Sequence, residues 1–235
     1  MKPHIICHMT ASVDGRTLLG RWHPSDAIQS GVFERIHREL GGDAWLVGRV
    51  TGEEFAQGSP YTTRVNEILP RTTWIARRAS SHAVILDAHG KIAWGRPDIE
   101  GDAIIVALTR QVSDSHLAGL RADGVSYCFA GDSALDLELL ADTLNREFGI
   151  RRLLLEGGGR ANASFLEAGL IDELSLLIAP AIDGTPSSPS VFESRSPQPS
   201  MAVQGVSLQS CQALDGGAVW LRYTIANRSA GPHAA

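Results

Sequence analysis

Residues 152–180 read RLLLEGGGRANASFLEAGLIDELSLLIAP, and their pattern predicts the central unit of the fold. Its leucine triplet is a short apolar run, which is typical of a buried strand. Three glycines follow, and a helix is predicted from about residue 160 to Gly169, because glycine favours the left-handed conformation in which many helices end. A second apolar run, residues 174–179, ends at Pro180. Strand, glycine turn, helix and strand make a βαβ unit, so the stretch predicts parallel strand pairing.

The glycines Gly157, Gly158 and Gly159 lie where this helix is predicted to begin. Without a Cβ atom they let a bulky anion approach the backbone, and the free N–H groups of a helix start attract negative charge. The positive charge of Arg160 is unfavourable at this end of the helix dipole, by about 0.3 kcal/mol or more. A bound anion would offset this unfavourable interaction. The alternative is a tight turn with a solvated arginine. The Rossmann fingerprint is not matched, because Asn162 stands where its third glycine belongs.

Composition narrows the class of protein. The chain has 235 residues, 43% hydrophobic and 20% charged, which is ordinary for a globular protein. A net charge of −5 argues against nucleic acid or an anionic membrane as the main partner. No apolar run reaches the roughly 18 residues of a spanning helix, and the first residues lack the apolar core of a signal peptide.

The cysteines indicate a reducing compartment. Cys7, Cys128 and Cys211 are odd in number, widely spaced and each within an apolar segment, so we expect three buried thiols and no disulfide. The eight histidines show no metal-ligand spacing, so no metal site is expected. These features predict a cytoplasmic protein.

The rest of the chain alternates short apolar runs with amphipathic segments. This alternation predicts an α/β fold with a mainly parallel sheet flanked by helices. The predicted strands are residues 5–10, 44–47, 74–76, 83–86, 103–108 and 125–129, and the predicted helices follow Ser25, Ser113 and Ser133.

The C-terminal part predicts a different arrangement. Apolar runs at residues 203–214 and 218–225 flank Asp215, Gly216 and Gly217, which predicts an antiparallel hairpin. We expect one domain over residues 1–226 and a disordered tail over residues 227–235.

Three junctions together resemble the dihydrofolate-reductase-like superfamily. They are MTASVDGR at residues 9–16, LVGRVTGEEF at residues 46–55, and LLLEGGGRANASFLEAGLIDELSLLIAPAIDG at residues 153–184. The combination is most similar to the reductase of riboflavin biosynthesis, which in many bacteria is the C-terminal half of a bifunctional deaminase–reductase. The resemblance spans nearly the whole chain. It implies a dihydrofolate-reductase-like fold with a C-terminal antiparallel hairpin, a small-molecule substrate and a homodimer.

The resemblance also implies NADPH as cofactor. The glycines 157–159 match the loop that holds the cofactor pyrophosphate, and Arg160 adjoins it. Gly48, Arg49 and Thr51 match a Gly-Arg-x-Thr junction that contacts cofactor phosphate. Arg77 and Arg78, beside two serines, form a second basic patch that could read the 2′-phosphate.

On the substrate side, Ser12, Asp14 and Gly15 match a motif lining the space shared by nicotinamide and substrate. Asp14 is a candidate for proton delivery, although Asp-Gly is also a common turn. Glu156 matches an acidic residue that family members use on the substrate side; the alternative is a solvated strand end. His23 is a weaker candidate.

Two motifs of that family are missing. Its Asp-Asn-Pro or Asp-Asp-Pro segment is replaced by Gln-Gly-Ser-Pro at residues 57–60, with Arg64 four residues on. No His-x-Glu pairs with Pro-Cys-x-x-Cys, so the zinc deaminase half is absent.

The resemblance therefore implies a stand-alone NADPH-dependent reductase. Its reaction would convert the ribosylamino side chain of a pyrimidine riboflavin precursor to the ribitylamino form. The alternatives are a reductase of the same fold with another pterin-like or carbonyl substrate, and a non-catalytic nucleotide-binding module.

Overall fold

The structure is a computed structural model, and it describes residues 1–22, 28, 30–62, 68–194 and 205–226. The strands are β1 (His4–Ser12), β2 (Ala44–Gly48), β3 (His82–Leu86), β4 (Asp98–Ile99), β5 (Asp102–Leu108), β6 (Ser126–Phe129), β7 (Arg152–Gly157), β8 (Glu173–Ala179), β9 (Val206–Ala213) and β10 (Val219–Ile225). The α-helices are α1 (Val32–Leu40), α2 (Arg49–Glu53), α3 (Asp114–Ala122), α4 (Leu137–Phe148) and α5 (Gly159–Glu167).

These elements cluster into two compact units. Unit 1 comprises Met1–Pro3 and Gly42–Gly157, and unit 2 comprises His4–Gly41 and Gly158–Ala235. The single domain over residues 1–226 stays a prediction, and the predicted tail lies outside the described residues.

Unit 1 is built on a mostly parallel sheet. Its strand order is β4-β5-β3-β2-β7, with β6 on β5, and the β4–β5 pair is antiparallel. The strands β3 and β5 are buried along almost their whole length, because helices cover a parallel sheet and leave little room for polar side chains. Residues 74–76 do not form the predicted strand, since only Trp74 makes an isolated bridge, to Tyr127.

The helices of unit 1 begin where their capping residues indicate. Ser113 accepts a hydrogen bond from the backbone N–H of His116 at the start of α3, and Asp136 does the same for Leu139 at the start of α4. Gly149 ends α4 in the left-handed conformation. Asp136 therefore caps α4, which begins at Leu137, and Ser133 lies before the cap.

Unit 2 joins a parallel strand pair to an antiparallel hairpin. The strand β1 pairs with β8 in parallel, β8 pairs with β10 antiparallel, and β10 pairs with β9 antiparallel. The predicted hairpin at residues 215–217 is confirmed. The helix α1 begins at Val32, later than predicted, because Gly31 precedes it at φ +82°. Ser25, the predicted cap, lies outside the described residues.

Burial differs sharply among the strands of unit 2. Eight of the nine residues of β1 are buried, whereas all eight residues of β9 are exposed. The thiols of Cys7 and Cys128 are buried as predicted, but Cys211 is exposed because it lies on β9, so that expectation is wrong. The fold class is confirmed: an α/β fold with a mostly parallel sheet, flanking helices and antiparallel strands near the C-terminus.

Candidate functional site

The carboxyl ends of β2 and β7 meet at one edge of the unit 1 sheet. Val47 pairs with Gly157, and the register shifts between Leu46 and Val47. A Cβ atom on Gly157 would lie 2.5 Å from the Val47 Cα and 2.9 Å from the Gly48 backbone nitrogen. Only glycine lets the two strand ends approach this closely, so the packing of Gly157 against Gly48 accounts for the first glycine of the triplet.

The other two glycines have different surroundings. Gly159 lies under residues 188–193, since its Cβ would come 2.2 Å from the Ser190 carbonyl oxygen and its own carbonyl accepts from the Glu193 N–H at 2.9 Å. Gly158 adopts φ +65° and precedes α5, and a Cβ there would meet nothing within 4 Å. Gly158 is therefore the member of the triplet that faces open space.

The start of α5 lacks the capping and acidic residues that are present at the starts of α3 and α4. No side chain caps it and no acidic residue lies in its first turn, whereas α3 carries Asp114 there and α4 carries Glu138. Arg160 in this turn is exposed and forms no ion pair within the described ranges. First-turn N–H groups and a cation are the donors that an anion needs.

The second glycine junction leads from β2 into α2. Gly48 is extended and carries no capping side chain, and Thr51 is half-buried. A Cβ on Gly52 would lie 2.7 Å from the Ile85 side chain, so α2 packs closely on β3. Arg49 is exposed and donates to Glu53 one turn later at 2.7 Å.

In unit 2 the structure brings Ser12, Asp14 and Gly15 together at the end of β1. The Ser12 hydroxyl donates to Asp14 at 2.6 Å, and the backbone N–H groups of Asp183 and Gly184 donate to the same carboxylate at 3.1 and 2.9 Å. Gly15 closes the turn at φ +79° with a hydrogen bond to the Ser12 carbonyl.

These donors hold the Asp14 carboxylate in its ionised form. The hydrogen bond from Ser12 and those from Gly184 and Asp183 lower the pKa of Asp14 from 3.8 to about 2. The group is thus an acceptor at neutral pH and carries no proton to deliver. Asp183 and Gly184 were not singled out from the sequence as site residues, because only the folded chain brings them to Asp14.

Residues 188–193 form a second contact that the sequence did not indicate. The Arg16 guanidinium donates to the Ser188 carbonyl at 2.8 Å, and Asn162 on α5 donates to the Val191 carbonyl at 2.8 Å. The Asn162 side chain is fully buried, and its amide oxygen finds no partner among the described residues. This segment therefore fixes the residues after Ser12 and the start of α5.

Residues 57–60, which stand where the resembled family has its acidic segment, lie within unit 1. The backbone N–H groups of Gln57 and Gly58 donate to the carbonyls of Trp94 and Ala93. A Cβ on Gly58 would lie 2.8 Å from the Ala93 backbone. Glu156, at the end of β7, is half-buried. His23 and Arg64 lie outside the described residues.

Arg77 and Arg78 lie at the opposite edge of the unit 1 sheet from Arg49. They precede β3, whose first residue, His82, pairs with the first residue of β2, whereas Arg49 follows the last. Arg77 donates to Asp98 at the start of β4. The two edges are separated by about 13 Å of strand. That Arg77 or Arg78 reads the 2′-phosphate of the cofactor stays a prediction.

Two features are absent from the part of the chain that the structure describes. No three side chains of His, Cys, Asp or Glu come together there in a way that would hold a metal ion. None of the helices in this part of the chain combines the length and apolar character needed to cross a membrane.

The mostly parallel sheet with glycine-bearing strand ends defines the class: an α/β domain with the fold of pyrimidine reductases. Within that class, the chain belongs to the RibD C-terminal domain family, which matches residues 3–219. This membership confirms the resemblance inferred from the three junctions.

Relatives with related sequences carry one name. Proteins called 2,5-diamino-6-ribosylamino-4(3H)-pyrimidinone 5′-phosphate reductase are 24% identical in Archaeoglobus fulgidus, over 83% of this chain and 89% of that protein, and 26% identical in Aquifex aeolicus, over 81% and 82%. The protein of that name in Methanothermobacter thermautotrophicus is 49% identical over 34% of this chain and 36% of its own.

Solved structures share the fold. A pyrimidine reductase-like protein of Corynebacterium diphtheriae superposes with a TM-score of 0.69 at 20% identity, covering 95% of this chain and 92% of its own. The riboflavin biosynthesis reductase Rib7 of Saccharomyces superposes with a TM-score of 0.60 at 18% identity, covering 96% and 90%.

Proposed function

We propose that the chain is an NADPH-dependent reductase of riboflavin biosynthesis, which converts the ribosylamino side chain of a pyrimidine precursor to the ribitylamino form. The observation that carries the proposal is the family match over residues 3–219, which includes all three junctions. Relatives that align over most of their length are named as reductases of this kind.

The residues at the junctions fit a nicotinamide nucleotide. The first turn of α5 offers uncapped N–H groups, Arg160 and the open face of Gly158 to a phosphate. We assign pyrophosphate contact to Gly157, Gly158, Gly159 and Arg160. Gly48, Arg49 and Thr51 are also assigned to contacts with cofactor phosphate. Among them, Arg49 is the candidate for contact with the 2′-phosphate. When bound, the reduced nicotinamide supplies a hydride.

The reduction adds a hydride to C1′ of the open imine form of the sugar and a proton to the adjoining nitrogen, so that the C=N double bond becomes a single bond. Asp14, ionised and held by Ser12, accepts hydrogen bonds from the substrate and orients it beside Gly15. Glu156 is assigned to the amino groups of the pyrimidine ring. Because Asp14 carries no proton at neutral pH, the proton reaches the nitrogen from another donor, such as water.

Assembly and location complete the proposal. The exposed edge strand β9 presents Val206 and Leu208, 47% and 56% exposed, which supports a homodimer because unpaired edges are usually covered. The free thiols support a cytoplasmic location.

The test is turnover of NADPH with purified protein. We expect loss of NADPH absorbance with 2,5-diamino-6-ribosylamino-4(3H)-pyrimidinone 5′-phosphate or its deaminated counterpart, and a ribitylamino product by mass spectrometry. Turnover only with pterin or carbonyl compounds would overturn the substrate assignment. Saturable NADPH binding without any turnover would indicate a binding module.

A second candidate is a reductase of the same fold with a different substrate. It is favoured by residues 57–60, where the usual acidic segment is absent and the backbone N–H groups of Gln57 and Gly58 are already bonded to Trp94 and Ala93. The same assay, run with substrates that carry or lack the 5′-phosphate, distinguishes the two candidates.

A further inference from the structure

A carboxylate from a distant part of the chain lies beside the start of α5. The Glu193 backbone N–H donates to the Gly159 carbonyl at 2.9 Å, and its side-chain Oε1 accepts from the Ser190 N–H at 3.3 Å. A Cβ atom on Gly159 would lie 2.8 Å from the Glu193 Cγ and 3.3 Å from its carboxyl carbon. Residues 188–193 therefore hold this half-buried side chain against the first residue of the helix.

Charged groups of both signs surround Glu193. Arg160 is exposed in the first turn of α5, and the Arg16 guanidinium contacts the same segment as Glu193 by donating to the Ser188 carbonyl at 2.8 Å. Among the described residues, neither arginine forms an ion pair with Glu193. Glu156, which precedes the glycine triplet in sequence, is half-buried at the end of β7. Glu193 therefore makes the potential at the start of α5 less positive than the arginines and the helix dipole alone would make it.

A carboxylate in this place acts in opposite directions on the free and the ligand-bound chain. In the free chain its negative charge is favourable, because the N–H groups of a first helical turn carry partial positive charge. A phosphate group at the open face of Gly158 would use the same N–H groups, and the carboxylate would repel it. The same side chain therefore stabilises the free helix start and competes with an anionic ligand.

We propose that Glu193 sets the affinity of the chain for its cofactor, because it weakens the binding of pyrophosphate at the first turn of α5. The inference rests on the proposed function, since it takes this turn as the pyrophosphate site. Differences in affinity are expressed mostly in dissociation rates, so Glu193 speeds the release of the oxidised cofactor after the hydride has been transferred.

The test is the variant Glu193→Gln, which removes the charge and keeps an oxygen that can accept from the Ser190 N–H. NADPH and NADP⁺ are titrated by calorimetry at constant ionic strength, and inorganic pyrophosphate is titrated through the backbone amide resonance of Gly158. We expect the variant to bind all three about threefold or more tightly than wild type, because one like charge is removed.

A second measurement separates this role from a merely structural one. The midpoint of urea unfolding without ligand should be lower for Glu193→Gln than for wild type, because the favourable charge at the helix start is lost. A side chain that only supports the fold would lower stability and affinity together. Glu193→Gln should instead lower stability and raise affinity.

Glu167→Gln is the matched control, because Glu167 lies at the other end of α5, where its carboxylate accepts from the Ser194 hydroxyl at 2.8 Å. It should leave the three dissociation constants unchanged. Unchanged or weaker binding of the cofactors and pyrophosphate by Glu193→Gln would overturn the proposal. If wild type binds pyrophosphate but not NADPH, and the variant binds pyrophosphate more tightly, the role of Glu193 stands and the reductase proposal fails. If wild type binds neither ligand, both proposals fail.

Discussion

At the scale of single residues, Asp14 shows most clearly how the fold sets chemistry. Three donors converge on its carboxylate, so the ionised form is the one that the folded chain stabilises. The folded pKa of about 2 lies below the ordinary 3.8, so this stabilisation is complete above about pH 4 and is lost as the pH falls towards 2.

The variant Asp14→Asn tests this statement. The free energy of unfolding of wild type should exceed that of the variant at pH 7, and the difference should shrink between pH 4 and pH 2.5. Urea unfolding at several pH values measures it. A difference that stays constant over this range would mean that the carboxylate is not stabilised by its three donors.

Arg49 is the residue on which cofactor choice is expected to depend. Loss of a charge-assisted contact to the 2′-phosphate costs roughly 1.5–3 kcal/mol, so Arg49→Ala should weaken NADPH binding about 10- to 100-fold and leave NADH nearly unchanged. Glu53→Gln is the control, because it frees Arg49 from its ion pair and should not weaken NADPH. If the binding of both cofactors weakens equally, Arg49 contacts the pyrophosphate instead. A wild type that prefers NADH would contradict the NADPH assignment.

At the scale of elements, the junction between β7 and α5 requires glycine at two positions for two different reasons. At Gly159 a methyl group would collide with the Ser190 carbonyl, so Gly159→Ala should destabilise the fold by about 1–3 kcal/mol. At Gly158 the methyl group meets open space and only the positive φ is penalised, by roughly 1 kcal/mol.

The two variants should therefore separate stability from binding. Gly158→Ala should weaken NADPH by more than its loss of stability explains, because the methyl group obstructs the open face. Chemical unfolding and NADPH titration of both variants give the comparison. If Gly158→Ala binds NADPH as wild type does, the open face is not a phosphate contact.

Elements with a long apolar run or a capping residue could be predicted from the sequence. The strands β3 and β5 and the end of α4 at Gly149 follow from local patterns. The strand β4 could not be predicted, because two residues are too short to show alternation.

The contacts of the candidate site could be predicted from the sequence only where they are local. Ser12 and Asp14 are two residues apart, and their hydrogen bond follows from a turn. The contacts of Asp14 with Gly184 and of Asn162 with Val191 join distant segments, and no local pattern reports such contacts. The exposure of Cys211 was also not predictable from local pattern. Its apolar neighbours in sequence suggested burial, but in the described structure β9 has only β10 as a partner.

At the scale of the whole molecule, the exposed strand β9 carries the prediction of a dimer. Wild type should be a dimer by light scattering at micromolar concentration, and Leu208→Glu should shift it towards the monomer, since a charge would be buried at the contact. Leu139→Glu changes a comparably exposed leucine on α4 and should leave the dimer intact. A monomeric wild type would refute the dimer.

Buried histidines make the stability of the whole chain sensitive to weak acid. Burial lowers the pKa of His8 from 6.5 to about 4, and it also lowers those of His82 and His116. The unfolded chain then takes up protons that the folded chain does not, so stability is complete above about pH 6.5 and falls as the pH decreases.

For His8 alone the expected loss between pH 7 and pH 5 is about 2 kcal/mol. The variant His8→Phe should remove that part of the pH dependence, as measured by urea unfolding at both pH values. His89→Phe, at an exposed histidine, should retain the wild-type slope. A wild type equally stable at pH 7 and pH 5 would contradict the burial of neutral His8.

The pairing of β1 with β8 has a consequence for how the protein is made. Ile6 is matched with Glu173, so β1 leaves the ribosome long before its partner strand β8 is synthesised. The sheet order β4-β5-β3-β2-β7, by contrast, is complete once residue 157 has emerged. Pairings between such distant segments form slowly, because the intervening chain must first be ordered. During that interval β1, which is buried along almost its whole length in the folded chain, is without β8, and unpaired apolar strands of this kind are prone to aggregation.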